Sequence, residues 1–317
     1  MTGVVILNYN NYTDTINCIE SVEKYNTADI KYVVVDNGST NELAVSEISK
    51  YMLAKFENDC ELVNEKESST SSKLKRATFL ISKSNSGYAQ GNNKGLKLLE
   101  LDDEIENILI LNNDILFVED IIPRLTEVQS QRDDCAIVSP ILYKRDMAGI
   151  DYNCARLNHN PWEIILTQLF LYRNICNITN KMRDKRMLLL KSPELLNHDI
   201  TEIELPSGSC MLMKKELFSK IGWFDPNTFL YYEENILYKK ITRMGLKNYL
   251  LLNCKCIHLG AASTSKASNS FTLNAEKDSV TYYLGTYDCL SPIQKLMLSF
   301  SRVLVCIKVK LIKQFKS

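Results

Sequence analysis

Short apolar runs alternate with helical patterns through the first half of the chain. The apolar runs predict strands over residues 3–7, 31–35, 77–82, 107–111 and 135–142. Apolar side chains at helical spacing predict helices over 13–25 and over 88–101. A further helical stretch is predicted after Ser39 and ends at about residue 56. Continuous apolar strands that alternate with helices indicate an α/β fold whose mostly parallel sheet is covered by helices on both faces.

Two segments interrupt this alternation. Residues 57–76 are polar and contain a Ser/Thr run, which predicts a solvated loop or a flexible insertion. Residues 151–200 give few signals apart from a helix around 161–176 and a basic stretch. After residue 203 the pattern sharpens again, with a strand at CMLM, a helix that begins at Glu233, and a strand that ends near His258.

Polar residues follow each of the first predicted strands. They are Asn8-Tyr9-Asn10, Asp36-Asn37-Gly38-Ser39, Ser84-Asn85-Ser86-Gly87 and Asn112-Asn113-Asp114. Because ligands of open α/β sheets gather beyond the carboxyl ends of the strands, these residues together predict one polar pocket. Asp36 could accept hydrogen bonds from a ribose or a base, although Asp36 or Ser39 could equally cap the following helix.

Glycines recur every four residues in the segment NSGYAQGNNKG, at Gly87, Gly91 and Gly95. On a helix they share one face, which is typical of close packing on a sheet. A glycine-rich helix start also brings backbone N–H groups close to a phosphate. The dinucleotide fingerprint GxGxxG is absent, so a nicotinamide enzyme is disfavoured.

Composition narrows the class of protein. The 317 residues carry 38 basic and 38 acidic side chains, and this zero net charge gives no reason to expect a nucleic-acid partner. The ten cysteines are scattered and form no CxxC pair, which favours reduced thiols in the cytoplasm. Without a signal segment or an apolar run near ~20 residues, we expect a soluble or peripheral protein.

The order of motifs carries a family resemblance. VVILNYNN, VVVDNGST, NSGYAQGNNKGL, ILILNND, LPSGSCMLMKKELFSKIGWFD and FLYYEEN together resemble family 2 glycosyltransferases of the GT-A fold, in particular a rhamnosyltransferase-like branch of bacterial polysaccharide synthesis. The resemblance implies a nucleotide-sugar-binding half over 1–150, an acceptor-binding half over 151–265, and a C-terminal helical tail over 266–317. It also implies an inverting transfer from a nucleotide-diphosphate sugar to a glycan or lipid-linked acceptor.

The resemblance also implies roles for single residues. Asp114 takes the place of the last acid of a DxD-type motif and, with His258, is expected to hold Mn²⁺ or Mg²⁺. Asn112 replaces the first acid, and its amide can ligate a hard cation but brings no charge. The expected donor-binding residues are Asn8, Tyr9, Asn10, Asp36, Asn37, Ser39, Asn85, Gly87, Tyr88, Gly91, Asn92, Asn112, Asn113 and Gly208.

Glu233 and Glu234 match the family's pair of acids that holds the catalytic base, and Glu234 is the preferred base. A carboxylate can take the proton of an acceptor hydroxyl. Two acids at a helix start could instead serve the helix dipole alone. Ser209 and Trp223 are expected at the acceptor, although Trp223 could equally pack in the core.

Other interpretations stay open at this point. His258 could be a structural histidine, or could join Cys254 and Cys256, which share its strand face, in a zinc site. A sugar nucleotidyltransferase would usually need a Gly-rich, basic loop after the first strand, and Asn8-Tyr9-Asn10-Asn11 does not supply one. A catalytically inactive homologue that binds a nucleotide or a partner is the third hypothesis, because Asn112 replaces an acid.

The C-terminal tail over 291–317 contains six Lys or Arg and no acid. Helical spacing places Lys295, Arg302, Lys310, Lys313 and Lys316 on one face, and Leu296, Phe300, Val303, Leu304, Ile307, Leu311 and Phe315 on the other. Such a basic amphipathic helix can lie on the inner surface of an anionic membrane. It could equally be a core-packing helix with a solvated basic face.

Overall fold

A computed structural model describes residues 1–65, 73–168, 186–260 and 269–314. Its centre is a twisted sheet in the order β3-β4-β2-β1-β5-β11-β7-β12-β6, with β9 paired to β12, and β8 and β10 form a separate pair. The strands are β1 Thr2–Asn8, β2 Ile30–Asp36, β3 Cys60–Asn64, β4 Ala77–Ile81, β5 Asn107–Asn112, β6 Ile115–Phe117, β7 Cys135–Lys144, β8 Ala155–Arg156, β9 Ile200–Ile203, β10 Leu205–Pro206, β11 Cys210–Lys214 and β12 Lys247–His258.

Helices cover both faces of this sheet, as the sequence predicts. They are α1 Tyr12–Tyr25, α2 Glu42–Phe56, α3 Gly87–Glu100, α4 Ile122–Gln131, α5 Pro161–Gln168, α6 Leu188–Lys191, α7 Lys215–Lys220, α8 Glu233–Thr242, α9 Asn269–Tyr287 and α10 Pro292–Gln314. Of the helix predicted around 161–176, the part beyond Gln168 lies outside the described residues.

The sheet is mostly parallel, and its exceptions shape the site. The strands β3, β4, β2, β1 and β5 run parallel to one another. β11 runs antiparallel between β5 and β7, and β6 runs antiparallel to β12. One strand corrects the sequence prediction, and another that was not predicted positions Asp114. β3 lies inside the predicted loop at 57–76, and the short strand β6 follows directly after Asp114.

Alternation along β1 shows how the core is divided. Val4 and Ile6 face α1, α2 and α4 in one buried cluster, whereas Val5 faces α3, α7 and α8 in the other. A Cβ at Gly95 would lie 2.8 Å from a methyl carbon of Val5, so the bare glycine lets α3 approach β1 closely. The packing role expected for this glycine face is therefore present. Each buried aliphatic side chain contributes roughly 1.5–3 kcal/mol.

The helices α5, α8, α9 and α10 build a third cluster beside the sheet, with Ile164, Ile236, Tyr283 and Leu298 at its centre. α10 packs through a stripe of small and apolar side chains, namely Leu298, Ser301, Val305 and Val309, all of which are buried. This stripe is missing from the predicted division of the tail into one basic and one apolar face.

A second apolar stripe of α10 faces outward. Ile293, Leu296, Phe300, Val303 and Ile307 are 49% to 71% exposed, and Lys295, Arg302 and Lys310 are exposed beside them. The helix thus packs on the fold and also presents apolar surface. The predicted positions Lys313, Lys316, Leu311 and Phe315 fall outside the residues whose side chains are described. Within the described ranges, no helix is long and apolar enough to cross a membrane.

Candidate active site

The ends of β1 and β2 are joined by a buried polar network. The Asn8 amide donates to Asp36 Oδ1 at 2.8 Å, and the backbone N–H of Ser39 donates to Asp36 Oδ2 at 3.0 Å. The Asn10 N–H donates to the Ser39 hydroxyl at 2.8 Å. Because Asp36 is 1% exposed and its two oxygens are engaged, its visible role is to fix these two strand ends.

A cavity of about 300 Å³ opens beside this network. Asn37 at the end of β2 donates to Asn85 Oδ1 and to the Gly87 carbonyl, both at 3.0 Å. Gly87 begins α3 with a φ of +84°, a left-handed conformation that glycine adopts without strain. This turn brings the start of α3 to the cavity, which we call the smaller cavity.

The polar triplet after β5 forms another wall of the smaller cavity. The Asn113 amide points back to Thr15 Oγ1 at 3.0 Å, whereas Asp114 faces the cavity. β6 starts immediately after Asp114 and pairs with β12 so that Ile115 lies opposite His258. This register explains why Asp114 Oδ2 lies 3.4 Å from His258 Nε2.

Asp151 completes this group and was not predicted from the sequence. Its Oδ2 lies 2.8 Å from His258 Nδ1, on the side of the ring opposite Asp114. Burial would lower the pKa of His258, but the hydrogen bonds and charges of Asp114 and Asp151 outweigh it and raise the pKa to about 9. Asp151 therefore orients the imidazole so that Nε2 faces Asp114.

Asp114 and His258 fit a hard divalent cation, but the protein would supply only part of its coordination shell. Asp114 Oδ1 is buried and has no hydrogen-bond partner among the described residues, which is costly for a carboxylate oxygen without a ligand. Within the described ranges, no group of three His, Cys, Asp or Glu side chains converges on a metal position. Any cation held by Asp114 and His258 would thus need further oxygen ligands from a bound substrate or water.

Cys254 and Cys256 do not join His258. Both are free, fully buried members of the core cluster, and burial raises the pKa of each thiol. Cys254 and Cys256 are therefore small core residues rather than ligands of a zinc site.

A strained turn delivers the two acids to a second cavity of about 500 Å³, which we call the larger cavity. Tyr231 and Tyr232 have φ values of 76° and 71°, unusual for non-glycine residues. Their conformation turns the chain sharply into α8, whose first residues are Glu233 and Glu234. Strain of this kind is concentrated at functional sites.

The two acids have different surroundings. Glu234 Oε1 accepts a hydrogen bond from the Gly208 N–H at 3.0 Å and lies 3.3 Å from Arg156 Nη2. Neither contact uses its other oxygen, Oε2. Glu233 is 4% exposed, and burial together with the charge of Glu234 raises its pKa to about 8. Burial thus favours the protonated form of Glu233, whereas Glu234 faces the cavity between the Arg156 guanidinium and the Gly208 N–H.

The two cavities share a wall. Tyr88, Asn112, Ser209 and Leu230 line both of them. The Tyr88 hydroxyl donates to the Gly208 carbonyl at 2.6 Å, and the Asn112 N–H donates to the Ser209 carbonyl at 2.8 Å. Asp114 and Glu234 thus face two compartments that meet at this wall.

The predicted site residues fall into three groups. The smaller cavity is lined by Tyr9, Asn37, Asn85, Gly87, Tyr88, Asn112, Asn113, Asp114, Ser209 and His258. The larger cavity is lined by Gly208, Glu233 and Glu234 and by the residues of the shared wall. Neither cavity is lined by Asn8, Asn10, Asp36, Ser39, Gly91, Asn92 or Trp223. Trp223 packs against Phe218, with ring centroids 5.1 Å apart, which corresponds to the core-packing alternative.

Comparison with known proteins identifies the family. Residues 3–222 match the family model of Glycosyl transferase family 2, which is more than half of the chain. The chain belongs to glycosyltransferase family 2. Family 2 membership agrees with the resemblance carried by the strand-end motifs. The rhamnosyltransferase-like branch stays a prediction.

One curated relative of this family 2 chain is the low-salt glycan biosynthesis hexosyltransferase Agl10 of Haloferax volcanii. It is 27% identical over 156 residues, which are 49% of this chain and 43% of the relative. The chain thus spans less than half the length of the curated relative it matches.

Two solved structures share the fold. GalNAc-T7 with UDP, GalNAc and Mn²⁺ has a TM-score of 0.60 and 15% identity, over 90% of this chain and 48% of that one. The mannosyltransferase PcManGT of Pyrobaculum calidifontis, with GDP-Man and Mn²⁺, has a TM-score of 0.54 and 12% identity, over 98% and 71%. The expected GT-A fold, with its mostly parallel sheet and C-terminal helices, is confirmed.

Proposed function

We propose that this chain is an inverting glycosyltransferase that takes a nucleotide-diphosphate sugar in the smaller cavity and its acceptor in the larger one. The observation that carries the proposal is the shared wall between the two cavities. Asp114 and His258 line the smaller cavity on one side of this wall, and Glu234 lines the larger cavity on the other side. Two opposed chemical roles require this separation.

The proposed step is a direct displacement. The acceptor hydroxyl oxygen forms a bond to the anomeric carbon, while the bond from that carbon to the donor phosphate oxygen breaks. The leaving nucleoside diphosphate takes the electron pair, and Glu234 accepts the hydroxyl proton. Because attack and departure occur on opposite faces of the carbon, the anomeric centre inverts.

Asp114 and His258 are the residues proposed to hold Mn²⁺ or Mg²⁺ with the donor's diphosphate. A bound divalent cation would neutralise the charge that develops on the leaving group. The Mn²⁺ and nucleotides present with GalNAc-T7 and PcManGT support this assignment. Removal of divalent cations with a chelator should abolish transfer, and chelator-resistant transfer would contradict the role of Asp114.

The proposed donor sugar is rhamnose or another hexose, and the proposed acceptor is a glycan or lipid-linked glycan of surface polysaccharide synthesis, such as a capsule or O-antigen. The hexosyltransferase relative from glycan biosynthesis supports the hexose class. A thermal-shift panel of nucleotide sugars would identify the donor. Binding without transfer to any acceptor would favour the inactive homologue, and pyrophosphate release from a nucleoside triphosphate would favour a nucleotidyltransferase.

The exposed stripe of α10 supports a place of action on the cytoplasmic face of a membrane. Ile293, Leu296, Phe300, Val303 and Ile307 form one apolar line along the helix, with exposed cations beside it and no acid between residues 291 and 310. An anionic lipid surface complements both properties. A second copy of the stripe would bring like charges together, so the lipid is the proposed occupant.

Vesicle sedimentation tests this surface. The wild-type protein should bind vesicles that contain phosphatidylglycerol more than vesicles of phosphatidylcholine alone. Replacement of Leu296 and Phe300 by Gln should abolish that binding. A matched control replaces Leu43 and Leu53, which are 56% and 46% exposed on α2, by Gln. Equal binding by both double variants, or dimers lost only in the α10 variant, would contradict the membrane role.

A further inference from the structure

Two arginines stand side by side on the wall of the larger cavity. Arg156 ends β8 and forms an isolated antiparallel bridge with Met187, and the Leu157 N–H donates to the Arg186 carbonyl at 2.7 Å. This backbone pairing holds Arg156 and Arg186 next to each other. Both line the larger cavity with His159, and neither lines the smaller cavity.

The guanidinium groups are incompletely satisfied. The Nε atoms of Arg156 and Arg186 are buried and have no hydrogen-bond partner among the described residues. Burial lowers the pKa of Arg186, and the neighbouring charge of Arg156 acts in the same direction. A buried donor without a partner costs free energy, and two adjacent cations repel each other.

The acids near this pair are already engaged. Glu234 shares Oε1 between Arg156 and the Gly208 N–H. Glu163 accepts from the Asn160 N–H at 3.2 Å and faces His159 Nδ1 at 3.3 Å. Glu276 accepts from the Gln168 amide at 3.0 Å. These carboxylates moderate the positive charge but leave both Nε donors unused.

We propose that the acceptor carries an anionic group, a phosphate or a carboxylate, which binds between Arg156 and Arg186 in the larger cavity. The inference rests on the proposed function, since it assigns this cavity to the acceptor. The guanidinium fork matches the spacing of phosphate or carboxylate oxygens, and charge-assisted hydrogen bonds from a bound anion would offset the repulsion between the two adjacent cations. Through its contact with Glu234, Arg156 would also set the distance between the bound anion and the base.

Two sources share this chemistry. A phosphate would belong to a phosphate-linked glycan, such as one on a lipid diphosphate, and a carboxylate would belong to an acidic sugar. Calorimetric or NMR titration with inorganic phosphate and with glucuronate, in the presence of a chelator, distinguishes them. Methyl glucoside serves as the uncharged probe.

The decisive variant is Arg186→Gln, and the matched control is Arg145→Gln, because Arg145 is exposed and lines neither cavity. Arg186→Gln should weaken binding of the preferred anion about tenfold or more, while Arg145→Gln should leave it unchanged. Unchanged binding in Arg186→Gln, an equal loss in Arg145→Gln, or an anion affinity no greater than that for methyl glucoside would overturn the inference.

Two further readouts distinguish anion binding from a structural role of Arg186 and from a failure of the proposed function. If Arg186 only serves Glu163 and Glu276 structurally, Arg186→Gln should lower the unfolding temperature without changing anion binding; our proposal expects an unchanged or higher temperature. Titration of nucleotide sugars with Mn²⁺ tests the proposed function independently. A wild-type protein that binds nucleotide sugar but neither anion would reject the anionic acceptor and leave glycosyl transfer standing.

Discussion

Gly208 offers a sharp test of how the base is positioned. Its N–H donates to Glu234 Oε1 at 3.0 Å, and its carbonyl accepts from the Tyr88 hydroxyl at 2.6 Å. A Cβ at this position would lie 2.9 Å from Glu234 Oε1 and 2.9 Å from the Tyr88 hydroxyl oxygen. The φ of Gly208 is not positive, so alanine meets no backbone strain there.

The size of the effect follows from these distances. Ordinary contacts of a Cβ begin near 3.4 Å, so Glu234 and Tyr88 must move away by about 0.5 Å in Gly208→Ala. Because misplacement of a catalytic group by about 1 Å can cost about a hundredfold in rate, we expect kcat to fall about tenfold or more. The extra methyl should cost about 1–3 kcal/mol of stability.

The assay compares transfer with donor binding. Release of nucleoside diphosphate in the presence of acceptor gives kcat, and calorimetry gives the affinity for the nucleotide sugar, which we expect to change little. Gly285→Ala is the matched control, because Gly285 is exposed on α9 and, among the described residues outside its own helix turn, no atom lies within 4 Å of its added Cβ. It should keep full activity and gain about 0.5–1 kcal/mol of stability. Wild-type transfer by Gly208→Ala would refute the proposed position of the base.

Three further variants test other parts of the site. Asp151→Asn should weaken Mn²⁺ binding about 10- to 100-fold, measured by calorimetry, because His258 loses its orienting partner; an unchanged affinity would contradict this role. Glu233 has a folded-state pKa of about 8 against an ordinary 4.5, so wild-type stability falls as pH rises between these values. The free energy of unfolding of Glu233→Gln, measured with urea, should therefore rise relative to that of the wild type from pH 5 to pH 8. An equal pH dependence of the two proteins would contradict a buried, protonated Glu233. Gly87→Ala, with a Cβ 2.2 Å from the Phe229 carbonyl oxygen and a φ of +84°, should lose about 3 kcal/mol or more of stability; a midpoint close to wild type would refute the strained turn.

Local sequence patterns predicted the sheet and the strand-end pocket because both depend on short-range periodicity. The run ILILNND marks the end of a buried strand, and Asp114 lies at the smaller cavity as the motif implies. The aromatic approach FLYY to Glu233 and Glu234 marks a turn that the structure shows to be strained. In these places the residue types and their local order were sufficient.

Long-range register could not be predicted. Asp151, Arg156 and Arg186 lie in a segment with little periodicity, and only the pairing of β8 with its neighbours brings the arginines to the cavity. No local sequence motif marks Asp151, Arg156 or Arg186 as a residue of the site. The role of Asp151 depends on the packing of β12 against β7, which has no signature in the sequence.

Helical periodicity also misjudged the tail in one respect. It assigned one apolar face, whereas α10 has a buried stripe through Leu298, Val305 and Val309 and an exposed stripe through Phe300 and Ile307. Which stripe is buried is decided by α5 and α9, and the pattern of α10 alone contains no information about them.

The central claim is that Glu234 is the base of glycosyl transfer. The most direct measurement is the transfer rate of Glu234→Gln beside Glu233→Gln, with the nucleotide-sugar affinity of each variant as control. Loss of a general base costs about 10²- to 10⁴-fold, so Glu234→Gln should lose transfer to that extent while donor binding persists, and Glu233→Gln should stay within a few-fold of wild type. Wild-type transfer by Glu234→Gln, or a loss confined to Glu233→Gln, would contradict the account.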